Sequence, residues 1–283
     1  MSVFCDLHTH SNFSDGTDTP EQLLDKAEKA GLGAVALTDH NTVKGLPDFL
    51  KAARGKTVRA IAGTELSSDY NGIELHILAL FLRPEQFDAV TEKMDDYHRR
   101  KEQSNLDLVD RLNKAGYALD YAVIKAATPE GQVNRALIAA ELLRLGYVES
   151  VKDAFKRLLK PECGYYTPPC RPGPEETVRF IKSLGAVAVL AHPLLNLDEG
   201  QLRQLLPSLK EAGLDAMETI YSTYTPEETA VAKQIAEDFG LLESGGSDYH
   251  GSIKPHIQIG TGQGTLAVPE GLMTAMEERL QKK

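Results

Sequence analysis

The segment DLHTHSNFSDG, Asp6–Gly16, puts two histidines one residue apart at the end of an apolar run, with Asp15 five residues beyond the second. In an extended strand residues i and i+2 point to the same side, so His8 and His10 can aim both imidazoles at one point. An HxH by itself is a weak metal signal. The rest of the chain strengthens it, because other segments that read as strands also finish in groups able to bind a cation. They are Asp39 and His40 in LTDHN, Glu65 in AGTEL, His76 in ELHIL, His192 in LAHPL, and Asp248 with His250 in GGSDYHG. Six of the eight histidines fall at such positions, leaving only His98 and His256.

A mixed imidazole and carboxylate cluster suits Zn, Mn or Fe, and this set is too large for one tetrahedral ion. Two or three divalent transition-metal ions are therefore expected. Adjacent ions bridged by a carboxylate can clamp a phosphoryl group, lower the pKa of a bridging water and stabilise charge on a leaving oxygen. His8 and His10 read as one half of such a hydrolytic centre, with Asp15 serving a second ion.

Positioning these groups requires a particular arrangement of elements. The first third alternates short apolar strands with amphipathic helices: VFCDLH, a helix from about Pro20, AVALTDH, a short helix, VRAIAGTEL and ELHILALFL. That is the βα pattern of a parallel sheet or barrel, whose strand C-termini converge on one face. The first helix is well signalled, with Thr19 as N-cap, Pro20 at the first position, Gln22 completing a capping box and Gly31 as a stop. From about Arg83 to Cys170 the alternation ceases. A long helical pattern from Pro84 to about Ala115 is followed by shorter ones at Asn134–Leu145 and Ser150–Leu159, which reads as a helical insertion over 83–170. Strand signals return at 186–193, 215–221 and 241–250, with helices near 174–184, 198–212 and 226–239 between them, so the barrel comprises 1–82 and 171–283.

The chain has 283 residues and a formal net charge of -10, which disfavours a surface that grips long nucleic acid by its phosphates. The basic cluster HRRK, His98–Lys101, reads as a solvated helix face. Cys5, Cys163 and Cys170 are odd in number and lack the paired spacing of a thiolate site or disulfide framework. With neither a signal-peptide pattern nor a long apolar run, the expectation is a cytoplasmic protein without membrane partners.

The motifs DLHTHSNFSDGT, LTDHNTV, GTELS, LH, AHP and GSDYHG, in this order, resemble the PHP (polymerase and histidinol phosphatase) family of metal-dependent phosphoesterases from residue 5 to about 260. The resemblance implies an α/β fold, a distorted (β/α)7 barrel with a trinuclear site, the helical insertion forming a substrate-side cap. It implies one metal held by His8, His10, Glu65 and Asp248, a second by Asp15, His40 and His250, and a third by Glu65, His76 and His192. It further implies that Glu65 is the bridge and that Asp15, Glu65, Asp248 and His250 form the catalytic subset. Within the family the layout is similar to a stand-alone branch that includes nucleoside 3′,5′-bisphosphate phosphatases and a related 5′-end RNA exonuclease. That branch often carries GRPHIA in its insertion, where this chain has NRALIA, keeping Arg135 but placing Ala136 and Leu137 at the proline and histidine positions. Where the family often has YHPDH, this chain has IYSTYT.

The expected activity is hydrolysis of a phosphomonoester of a small nucleotide by a metal-bridging hydroxide. Arg135, with Arg171 and Lys254 as further candidates, would bind substrate phosphate. Three alternatives remain at this level: a 5′–3′ exonuclease on short oligonucleotides, an amidohydrolase-type C–N hydrolase, and a non-enzymatic metal-stabilised domain. Asp15, Glu65 and the Asp248/His250 pair favour phosphate chemistry over the C–N reading, and the complete ligand set disfavours the non-enzymatic one.

Overall fold

The computed structural model describes residues 4–128 and 133–281. In chain order its main elements are β1 (Phe4–Asp6), α1 (Pro20–Lys29), β2 (Ala34–Leu37), α2 (Leu46–Ala52), β3 (Arg59–Tyr70), β4 (Ile73–Leu80), α3 (Phe87–Lys114), α4 (Tyr121–Ala126), α5 (Arg135–Arg144) and α6 (Val151–Ala154). There follow α7 (Pro174–Ser183), β5 (Val187–Leu190), α8 (Glu199–Ala212), β6 (Ala216–Tyr221), α9 (Pro226–Asp238), β7 (Leu242–Gly246), β8 (Val268–Pro269) and α10 (Glu270–Gln281). The chain packs as two compact units, residues 4–91 with 171–281, and residues 92–170. The division falls inside α3, whereas the sequence pattern changes at Arg83. No helix among the described residues is long and apolar enough to cross a membrane.

The first unit is an α/β barrel. Its eight strands lie in the order β7-β6-β5-β4-β3-β2-β1-β8. The ring nearly closes because the chain beyond β1 meets the end of β7 and the chain that follows it: Leu7 N donates to Gly245 O (3.2 Å), Asp248 N to His8 O (2.9 Å) and His10 N to Tyr249 O (2.9 Å). Period-2 alternation sends Cys5 and Leu7, Ala34 and Ala36, Leu78 and Leu80, and Val187 and Val189 into one buried cluster, which Met273 and Met276 of α10 complete. The α1 cap forms as its residues dictate, with Thr19 and Gln22 making a reciprocal capping box and Leu23, Leu24 and Ala27 buried.

The structure departs from the parallel pattern at β4, which runs antiparallel to both β3 and β5. The cause is the two-residue link Asn71–Gly72, with φ of 54° and 84°. Two residues can close a hairpin but cannot span a parallel crossover. Local signals also left α4, β8 and α10 unread.

The second unit has a core of its own. Leu108 and Leu112 of α3, Ile124 of α4, Ile138 and Leu142 of α5, and Leu158, Leu159 and Tyr166 are buried together. The helix expected from Ser150 starts as α6 and passes into a π-helical turn at Phe155–Leu159.

Candidate metal centre

His8 and His10 follow β1 and are fully buried. Their backbone is fixed by the barrel seam, and Asp6, also fully buried, accepts from His8 N (3.3 Å), Ser247 N (2.8 Å) and Gly260 N (2.7 Å). Asp6 thus ties the first histidine to the loop that carries Asp248. His40 follows β2, His192 follows β5, and Asp248 and His250 follow β7. Glu65 lies inside β3, and His76 lies in the first half of β4. Because β4 is reversed, its beginning reaches the face where the parallel strands end.

Glu65 is the hub. Its Oε2 lies 3.3 Å from His8 Nε2, 3.3 Å from His10 Nε2 and 2.9 Å from His40 Nδ1. Its Oε1 lies 2.9 Å from His76 Nδ1 and 3.1 Å from His192 Nε2. Asp248 Oδ1 approaches His10 Nε2 (3.2 Å) and His8 Nε2 (3.7 Å). Asp15, in the loop after His10, lies 3.3 Å from His250 Nε2 and 3.8 Å from His40 Nε2. Ligand atoms from three sets lie within 4.8 Å of one another: His10, Asp15, His40 and His250; His8, His10 and Glu65; and His40, Glu65 and His76.

The donor set fits divalent metal. His8 Nε2, both ring nitrogens of His10, Glu65 Oε2, His76 Nδ1 and His192 Nδ1 are buried and make no hydrogen bond among the described residues. Such groups are costly to bury unless something satisfies them, and several imidazole nitrogens converging on one carboxylate suit a cation. Burial, with His250 and His40 alongside, pushes His10 down to about 3, the neutral form that can ligate metal. Burial would raise Glu65, but His40, His76 and His8 hold it well below the usual carboxylate range. Burial opposes charge on His76 as well, yet Glu65 raises it to about 10 without metal. The backbone is strained at two of these residues, with φ of 29° at His192 and 55° at Asp248.

Asp39, also at a strand end, serves the loop instead, accepting from Ser11 N (2.8 Å), Ser11 Oγ (2.6 Å) and Ser14 Oγ (2.6 Å). Two of the expected substrate-binding cations sit beside the centre. Arg171 pairs with Glu74 (2.9 Å), which lies 3.4 Å from His76, and Lys254 donates to Asp248 Oδ2 (2.8 Å). Arg135 belongs to the second unit. There its guanidinium lies 4.4 Å from the Tyr166 ring centroid and donates to Leu159 O (3.2 Å).

Sequence reasoning missed Glu218. This fully buried carboxylate of β6 accepts from His192 N (2.7 Å) and contacts His8 Nδ1 (3.0 Å), orienting that ring so that Nε2 faces Glu65. The usable signal was an acidic residue inside the short strand AMETIY.

The PHP domain profile matches residues 6–162. The chain is 31% identical over 255 residues to a 5′-3′ exoribonuclease of Haemophilus influenzae, covering 88% of this chain and 91% of that protein. It is 32% identical over 263 residues to a phosphoribosyl 1,2-cyclic phosphate 1,2-diphosphodiesterase of Eggerthella lenta, covering 89% and 97%. It is 27% identical over 248 residues to a 3′,5′-nucleoside bisphosphate phosphatase of Chromobacterium violaceum, covering 87% and 86%. Among solved structures, a metal-dependent phosphoesterase, so described, from Bifidobacterium adolescentis superposes with a TM-score of 0.82 at 27% identity, covering 99% and 97%. Barrel, clustered candidate metal-binding groups and relatives define the class as metal-dependent hydrolases of phosphate esters. The chain belongs to the PHP domain family.

Proposed function

We propose that this chain hydrolyses a phosphomonoester of a small nucleotide of the nucleoside 3′,5′-bisphosphate kind. The observation that carries this reading is the pair of cations flanking the centre, Arg171 through Glu74 and Lys254 through Asp248. They offer separate phosphate contacts on its His76 and Asp248 sides. Arg135 is assigned to a substrate phosphate on the resemblance of NRALIA to the family segment.

In this reading His8, His10, Glu65 and Asp248 hold one divalent ion, Asp15, His40 and His250 a second, and Glu65, His76 and His192 a third, drawn from Mn, Fe or Zn. Bound ions supply Lewis acidity that polarises phosphoryl oxygens and acidifies water. The protein's part would be to place Glu65 so that each oxygen serves a different group of histidines, and to orient the phosphate through Arg171 and Lys254.

A second reading, removal of nucleotides from the 5′ end of short oligonucleotides, is favoured by the identity to the Haemophilus exoribonuclease. Metal-loaded protein should be incubated with a nucleoside 3′,5′-bisphosphate, the matching 5′-monophosphate, a ribose cyclic phosphate and a short 5′-phosphorylated RNA. The proposal expects inorganic phosphate from the bisphosphate, with kcat/KM at least about tenfold above that for the monophosphate, as the loss of one charge-assisted contact implies. Mononucleotide release from the RNA with the bisphosphate untouched would replace it by the second reading.

A further inference from the structure

Tyr221, the last residue of β6, is 7% exposed, and its ring centroid lies 5.3 Å from that of His192 and 5.2 Å from that of Tyr224. Its hydroxyl donates to Asp248 Oδ2 (2.8 Å). Lys254 Nζ donates to the same oxygen (2.8 Å), while Oδ1 faces His10 Nε2 (3.2 Å), His250 Nδ1 (3.5 Å) and His8 Nε2 (3.7 Å). We propose that Tyr221 is a positioning residue for the metal centre, holding Asp248 by Oδ2 so that Oδ1 alone is presented at the His8–His10 pole.

A carboxylate has two equivalent oxygens, and donors on one of them fix its rotation and leave the other as the ligand. Asp248 needs such a restraint, since its own backbone sits in the left-handed region, at φ 55°, and is kept there by its contacts. The two donors differ in kind. The Lys254 side chain is 36% exposed, long and screened by solvent, so it can turn from Asp248 to a substrate phosphate. The Tyr221 ring is packed in place between His192 and Tyr224, and a phenol, which ordinarily ionises only near pH ~10, is a donor at neutral pH. Tyr221 is thus the permanent holder and Lys254 the exchangeable one. The inference rests on the metal centre alone and is independent of which phosphate ester is cleaved.

The test titrates metal-free wild type, Tyr221→Phe and Lys254→Met with Mn²⁺ in competition with a chelating dye, and measures melting of the metal-free proteins and kcat and KM on p-nitrophenyl phosphate. Tyr221→Phe should weaken one ion roughly ten- to a hundredfold, leave the others and the melting temperature unchanged, and regain turnover at saturating Mn²⁺. Lys254→Met should weaken that ion less and raise KM. Wild-type affinity in Tyr221→Phe overturns the proposal, as does a loss confined to Lys254→Met or a uniform loss at every site. If Tyr221→Phe melts early, the titration is repeated at a temperature where the metal-free variant is fully folded: weakening of one ion alone supports the role, and wild-type affinity or a uniform loss overturns it.

Discussion

Glu65 shows how much one buried side chain can be asked to do. With no exposed surface, it faces His8, His10 and His40 through one oxygen and His76 and His192 through the other. Glu65→Gln keeps the shape but removes the charge and half of the acceptor capacity. Metal analysis of the wild type purified without chelator should return more than one transition-metal ion per chain. The Gln variant should hold fewer, with affinity lowered at least roughly tenfold and turnover reduced. Full occupancy with near-normal turnover would remove Glu65 from its bridging place. Its proposed bridging place was partly legible, since it was read among the strand-end groups and the family resemblance made it the bridge. Glu218 went unread because no motif marks it: it stands inside β6, and only the closed barrel brings it to His8 and His192.

Among the elements, the seam between β1 and β7 matters most to the site. Gly246 ends β7 against the chain leading to His8, and a Cβ there would stand 2.4 Å from His8 Cβ and 2.6 Å from His8 N. Both atoms belong to a buried segment that cannot yield. Gly246→Ala should therefore cost about 1–3 kcal/mol of stability and displace His8, lowering metal content as well. Thermal melting and metal analysis check this, and a variant with unchanged melting and full metal content would show that the seam can give. The run GGSD is thus explained by close approach rather than by a turn. Most elements were readable from capping and periodicity. The β3–β4 hairpin was missed although its signal is local: Asn71–Gly72 between two apolar runs is a two-residue turn that only an antiparallel pair can use.

At the scale of the whole molecule, the chain divides its work between a barrel that carries the candidate metal ligands and a helical unit with a separate core. Arg135 is the helical unit's proposed contribution to substrate binding, yet its stacking on Tyr166 and its bond to Leu159 O also give it a place in that unit's packing. Arg135→Ala separates the two. As a phosphate ligand, its loss should lower kcat/KM on the bisphosphate roughly ten- to a hundredfold with metal content intact, and should spare a monophosphate that lacks the gripped group. Unchanged kinetics with a lower melting temperature would leave it a packing residue.

What the sequence determined by itself was the list of chemical groups and their approximate stations. Side chains alternate along strands and strands alternate with helices, so His8, His10, His40, His192, Asp248 and His250 could be placed at the ends of barrel strands from local pattern alone. Only the tertiary structure decided which atoms meet. The reversal of β4 carries His76 to that face, Asp6 reaches Ser247 across 241 residues, and Tyr221 takes one oxygen of Asp248 while His8 and His10 approach the other. Local periodicity encodes the face on which a residue stands. Its partner from a distant part of the chain is set by how the barrel closes, and that information is absent from any short window of sequence.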